Sequence, residues 1–229
     1  AGVPASDTLY LPEGTYATST KYFVADTGNN RVLIWNSIPT TNGKAADVVI
    51  GQKDFNVAVQ IDLTQTTLNP QADTLLSPVS VTSDGQRMYV ADLGHNRVLI
   101  WNSIPTTNGQ PADVVLGQPD MTSAVSNNSS KLCASNGTDE KGNPTYPALC
   151  GATMDFPRFA LSDGKWLFIA DGGNDRVLVY YSVPTQNGTP ADAVLGQPKD
   201  TLNLGSDAAY QWRVASADSL RTPSSLAWD

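Results

Sequence analysis

The segment Asn30-Arg-Val-Leu-Ile-Trp-Asn-Ser-Ile-Pro-Thr-Thr-Asn-Gly43 recurs letter for letter from Asn96 to Gly109. A looser third copy opens as Asp175-Arg-Val-Leu-Val-Tyr180 and closes at Asn187-Gly188. Identity over such a span marks an internal repeat, in which each copy is one supersecondary unit. Its phase is set by Pro12, Pro78, Pro157 and Pro223, at intervals of 66, 79 and 66 residues. Related lead-ins precede three of these prolines: Ser6-Asp-Thr-Leu-Tyr-Leu, Ala72-Asp-Thr-Leu-Leu-Ser and Ala217-Asp-Ser-Leu-Arg-Thr. The third lead-in, Ala152-Thr-Met-Asp-Phe, reads as shorter and divergent.

Within the second unit, Val79-Ser-Val-Thr82 alternates apolar and polar residues and ends at the turn Ser83-Asp-Gly85, the pattern of a short strand. Arg87 to Ala91, Arg97 to Trp101 and Asp113 to Leu116 supply three more strands, with Asn108-Gly109 as turn punctuation between the last two. Four antiparallel strands per unit, repeated, predict an all-β propeller of four-stranded blades. A lone blade leaves two apolar faces in water, whereas stacking covers both. The expected blades are 12–52, 78–118 and 157–197, with a further one opening at 223. Long inter-blade loops span 53–77, 119–156 and 198–222.

The runs Ala25-Asp-Thr-Gly-Asn-Asn-Arg-Val32, Ala91-Asp-Leu-Gly-His-Asn-Arg-Val98 and Ala170-Asp-Gly-Gly-Asn-Asp-Arg-Val177 resemble the NHL-repeat family of β-propellers. The Ile-Pro-Thr-Thr-Asn-Gly and Gly-Gln-Pro-Asp elements are similar to those of bacterial secreted members. The resemblance implies fold and leaves activity open, because function lives in the site that a fold carries. Three blades are fewer than the roughly four to eight of a closed propeller. The expectation is a piece of a longer, six-bladed array; the rival is a ring completed by further copies.

Composition narrows the partners. With 14 Lys+Arg against 22 Asp+Glu, the formal charge is −8. No cationic surplus exists to displace counterions from a phosphate backbone, so no nucleic-acid partner is expected. No apolar run reaches membrane-spanning length, so no membrane insertion is expected. Cys133 and Cys150 both lie in the stretch that lengthens the middle unit. They read as a disulfide closing that loop, which implies an extracellular or periplasmic location.

Asp26, Asp92 and Asp171 each stand five residues before Arg31, Arg97 and Arg176. Repetition in every unit argues for a scaffold role, because an active site needs different residues converging once. The expected role is Asp receiving turn amides while Arg ties one blade to the next. The Gly-Gln pairs at Gly51, Gly117 and Gly196 read as scaffold too. His95, the single histidine, replaces Asn29 and Asn174 in the other turns and reads as a surface residue.

Function is expected on the inter-blade loops, displayed on a rigid frame. Tyr210, Trp212 and Arg213 form an aromatic and cationic cluster of interface character, and with His95 they are the candidate binding residues. The leading expectation is an extracellular, non-enzymatic scaffold that binds a protein, a glycan or another copy of itself. The alternatives are an enzyme like metal-dependent lyases or lactonases of related six-bladed folds, and a self-assembling structural subunit. The first strands supply poor metal-ligand material, with Glu13 the one nearby acid. No cofactor is called for beyond a structural or axial calcium.

Overall fold

The computed structural model describes residues 3–57, 69–197, 217 and 219–228. These form three four-stranded antiparallel sheets in simple up-and-down order. The first contains β1 (Gly14–Ala17), β2 (Tyr22–Asp26), β3 (Arg31–Trp35) and β4 (Val48–Ile50). The second contains β5 (Pro78–Ser83), β6 (Met88–Asp92), β7 (Arg97–Trp101) and β8 (Val114–Leu116). Helix α1 (Ser129–Leu132) and a small hairpin, β9 (Gly137–Thr138) with β10 (Pro144–Thr145), follow. The third sheet contains β11 (Pro157–Ser162), β12 (Leu167–Asp171), β13 (Arg176–Tyr180) and β14 (Ala193–Leu195). The protein is an all-β, bladed propeller fold.

Period-two alternation with both faces apolar explains the stacking. In the middle blade, Val90, Leu99 and Trp101 face the first blade, meeting Phe23, Val32 and Ile34. The intervening Tyr89, Val98 and Ile100 face the third blade, meeting Ile169, Leu178 and Tyr180. Val24, Leu33, Trp35 and Val49 of the first blade form a further buried cluster with Tyr22 and Phe55.

The Asn-Gly turns clasp neighbouring blades. Val49 N–H donates to Asn108 Oδ1 at 3.1 Å, and Gly109 N–H donates back to Val49 O at 2.9 Å. Val115 is held in the same way by Asn187 Oδ1 at 3.0 Å and Gly188 N–H at 2.9 Å. The edge strands β4 and β8 therefore each have an outward peptide satisfied by the next blade.

One expectation needs correction. The third lead-in is not shortened: Ala191 N–H reaches Gly151 O just as Ala112 reaches Ala72 O and Ala46 reaches Ser6 O, all at 2.8 Å. The shared path is held by backbone carbonyls and by one threonine in each lead-in, Thr8, Thr74 or Thr153, whose hydroxyl accepts the amide three residues before it. The described residues from Pro223 to Trp228 carry no strand. Their entry is nonetheless built like the others. Thr222 N–H donates to Asp175 Oδ1 at 2.6 Å, matching Ser77 on Asn30 at 2.7 Å and Phe156 on Asn96 at 3.1 Å. The residues before the prolines, Leu11, Ser77, Phe156 and Thr222, all hold positive φ, from 44° to 49°. Such strain persists only where surrounding bonds over-determine it.

Tyr180 replaces a tryptophan. The indole N–H groups of Trp35 and Trp101 donate to Lys44 O and Gln110 O at 2.8 and 2.9 Å. The Tyr180 hydroxyl is buried and has no hydrogen-bond partner, and burial pushes its ionisation upward. Replacing it by Phe removes a desolvated polar atom at no packing cost. Urea unfolding is expected to show Tyr180→Phe neutral to about 1 kcal/mol stabilising. Trp101→Ala, which opens a cavity between blades, is expected to cost about 3–5 kcal/mol.

Candidate functional site

The repeated Asp and Arg form the frame of one end of the stacked blades. Asp26, Asp92 and Asp171 end the second strand of their sheets, opposite Arg31, Arg97 and Arg176. All six are buried. Arginine Nε donates to aspartate Oδ2 at 2.7, 2.7 and 2.8 Å. The other oxygen accepts a lead-in amide, from Tyr10, Leu76 or Asp155, at 2.6 to 2.9 Å. Arginine Nη2 donates to two lead-in carbonyls: Ala5 and Thr8, Gln71 and Thr74, or Cys150 and Thr153. The Arg therefore ties a blade to its own entry segment. The tie to the next blade falls to the left-handed residue of the turn, Asn30, Asn96 or Asp175, which accepts the next lead-in amide. Asn and Asp tolerate that backbone conformation, and a side-chain oxygen there reaches outward.

The repeated glutamines close the turn from the other side. Gln52, Gln118 and Gln197 donate to the carbonyls of Asn30, Asn96 and Asn174 at 3.2, 3.0 and 2.8 Å.

His95 is not a surface residue. It is only 1% exposed, and its Nδ1 lies 2.8 Å from Asp92 Oδ2. Asn29 and Asn174 direct an amide to the same oxygen of Asp26 and Asp171, at 2.9 and 2.7 Å. Imidazole and carboxamide both present a donor at that reach, so the histidine stands in for asparagine within the frame. For Asp171, burial pushes the carboxyl up, opposed first by Arg176 and then by Asn174 and the Asp155 amide. Tyr210, Trp212 and Arg213 lie outside the described residues.

Strand register puts the inter-blade segments at this same end. Pro78 pairs with Asp92, and Leu116 with Val98, so both the entry and exit of a blade adjoin its Asp–Arg turn. The segment leaving the middle blade carries the Cys133–Cys150 disulfide, closing a separation of 17 residues. The carbonyl of Cys150 accepts from Arg176, which fastens the staple to the frame. Beyond it, the β9–β10 hairpin stands out with Gly137, Thr138 and Pro144 exposed.

A cavity of about 250 Å³ opens where the first strands converge. The residue following each phase-setting proline lines it: Glu13, Val79, Arg158 and Ser224. Gly14, Phe159 and Ser225, one position on, complete the wall. A Cβ on Gly14 would come within 2.6 Å of Val79 O, so two first strands touch there. This one register is the place where the units offer dissimilar side chains to a common space. Reading each unit separately missed it, because the four residues share only their distance from a proline. Among the described residues, no group of three His, Cys, Asp or Glu side chains could hold a metal ion.

The opposite end carries a second departure from the repeat. Lys21 Nζ donates to Asn36 Oδ1 at 2.5 Å across the first blade. The corresponding third-blade pair is Trp166 and Tyr181, with ring centroids 5.0 Å apart. Tyr181 is 52% exposed.

The frame predicts unequal tolerance at one turn. Asp92→Ala strands a buried guanidinium and is expected to cost about 3–5 kcal/mol. His95→Ala, which removes a bond to a charged acceptor, is expected to cost about 1.5–3 kcal/mol. His95→Asn restores the donor and should stay within about 0.5 kcal/mol of the parent. Chemical denaturation of the three variants checks the order.

No protein-family model matches the chain, and no curated protein matches it. Among solved structures, a streptogramin B lyase is similar in fold at TM-score 0.34 and 10% identity, over 87% of this chain and 58% of that one.

Proposed function

We propose that this chain is an extracytoplasmic, non-enzymatic recognition propeller of the NHL type, binding a protein or glycan at the end that carries the inter-blade segments. The observation that carries this reading is the stapled insertion of the middle unit. It is the one segment that breaks the repeat's spacing, and it leaves the middle blade at the end that carries the Asp–Arg turn. Display of a variable loop on a rigid frame is the usual geometry of recognition. A disulfide over a loop of this size contributes about 3 kcal/mol in the chain-entropy model and persists in oxidising compartments. The motifs quoted above support a bacterial, secreted setting.

The test is a loop exchange. Residues 134–148 are replaced by a short Gly-Ser turn between the two cysteines. Parent, exchange variant and Trp166→Ala are applied to an array of neutral and acidic glycans and to immobilised extracellular proteins. Binding lost in the exchange variant and kept in Trp166→Ala is the expected result. Loss in Trp166→Ala alone moves recognition to the opposite end and overturns the reading.

A further inference from the structure

We propose that the axial cavity binds a small zwitterion of amino-acid size, its carboxylate held by Arg158 and its ammonium by Glu13. This rests on the reading that the inter-blade end is the recognition end.

Three observations carry it. The first is the state of Arg158. Arg31, Arg97 and Arg176 each satisfy Nε on an aspartate. Arg158 makes no ion pair among the described residues, and its Nε is buried without a hydrogen-bond partner. Its side chain lies over Gly172, where a Cβ would meet Arg158 Cδ at 2.8 Å. With Nε covered by that backbone, the two Nη groups carry the unpaired donors of the guanidinium, and a carboxylate matches their fork.

The second is the pairing of signs. Glu13 and Arg158 line the same cavity yet form no ion pair with each other. Two opposite charges kept apart across a small space suit a ligand carrying both charges in reverse. On a chain of net charge −8, a simple anion meets a repulsive field, whereas a zwitterion has no net charge to repel.

The third is size and lining. The cavity, at about 250 Å³, lies below the roughly 300–1,000 Å³ of sites for drug-sized ligands. Val79 and Phe159 offer apolar wall for a side chain, and Ser224 and Ser225 offer hydroxyls beside the charges.

The experiment follows nitrogen-15 NMR spectra of the chain during titration with L-phenylalanine, 3-phenylpropionate and phenethylamine. These share a ring and carry both charges, the carboxylate alone or the ammonium alone. Phenylalanine is expected to shift the Arg158 Nε–H and Gly14 amide signals and to bind at least about tenfold tighter than either analogue. Glu13 is exposed, so Glu13→Gln leaves the fold intact. It is expected to bring phenylalanine down to the level of 3-phenylpropionate while leaving that analogue's affinity in place. Equal affinity for the three probes, or no shift at either signal, overturns the proposal. If partner binding on the array survives that result, only the zwitterion site falls and the recognition reading stands.

Discussion

A carboxylate taken fully out of water holds each blade together. Asp92, with its counterparts Asp26 and Asp171, receives the guanidinium of the strand opposite, the side-chain donor of its own turn and the amide of its blade's entry segment. A buried charge is tolerable only when paired and fully hydrogen-bonded. The turn, the lead-in and the third strand must therefore be in place together. Arg97 extends the demand through Nη1 to Met121 O, in the segment leaving the blade. In the first two blades entry, turn and exit are locked to one another in this way, whereas Nη1 of Arg176 is buried without a partner.

Blade stacking follows a different physics. Alternating side chains bury both faces of the middle sheet, and area removed from water is the drive. Hydrophobic contact is not directional, so register needs polar markers. The Asn-Gly clasp on Val49 and Val115 provides them at one edge. Thr82 Oγ1 donating to Ala160 O at 2.6 Å provides another at the first strands. The left-handed Asn30 and Asn96 complete the set by receiving the next entry amide.

The repeat and the proposed site stand in opposition. Where all units agree, residues serve backbone groups: the glutamine after each fourth strand, the Asp–Arg pair and the Asn-Gly turn. Where the units disagree, they are free to meet a ligand. The position after the prolines holds an acid, an aliphatic residue, a base and a hydroxyl. The stapled insertion leaves its blade at the same end of the strands.

The sequence by itself determined the blades, because a letter-for-letter repeat with alternating apolar residues admits one kind of stacked sheet. It also marked Cys133 and Cys150 as partners and the Asp–Arg positions as scaffold. Those inferences rest on local pattern, which one unit displays in full. Partner choice was not legible in the same way. Whether Arg31 reaches its own entry or the next blade and whether Cys150 begins a full-length lead-in depend on partners more than twenty residues away, and the burial of His95 is a property of the folded chain. The cavity lay further still from view, since Glu13 and Arg158 become neighbours only when strands of different blades gather at one axis. Only the tertiary structure decided these, because burial and convergence belong to the assembled sheets and to no single stretch of chain.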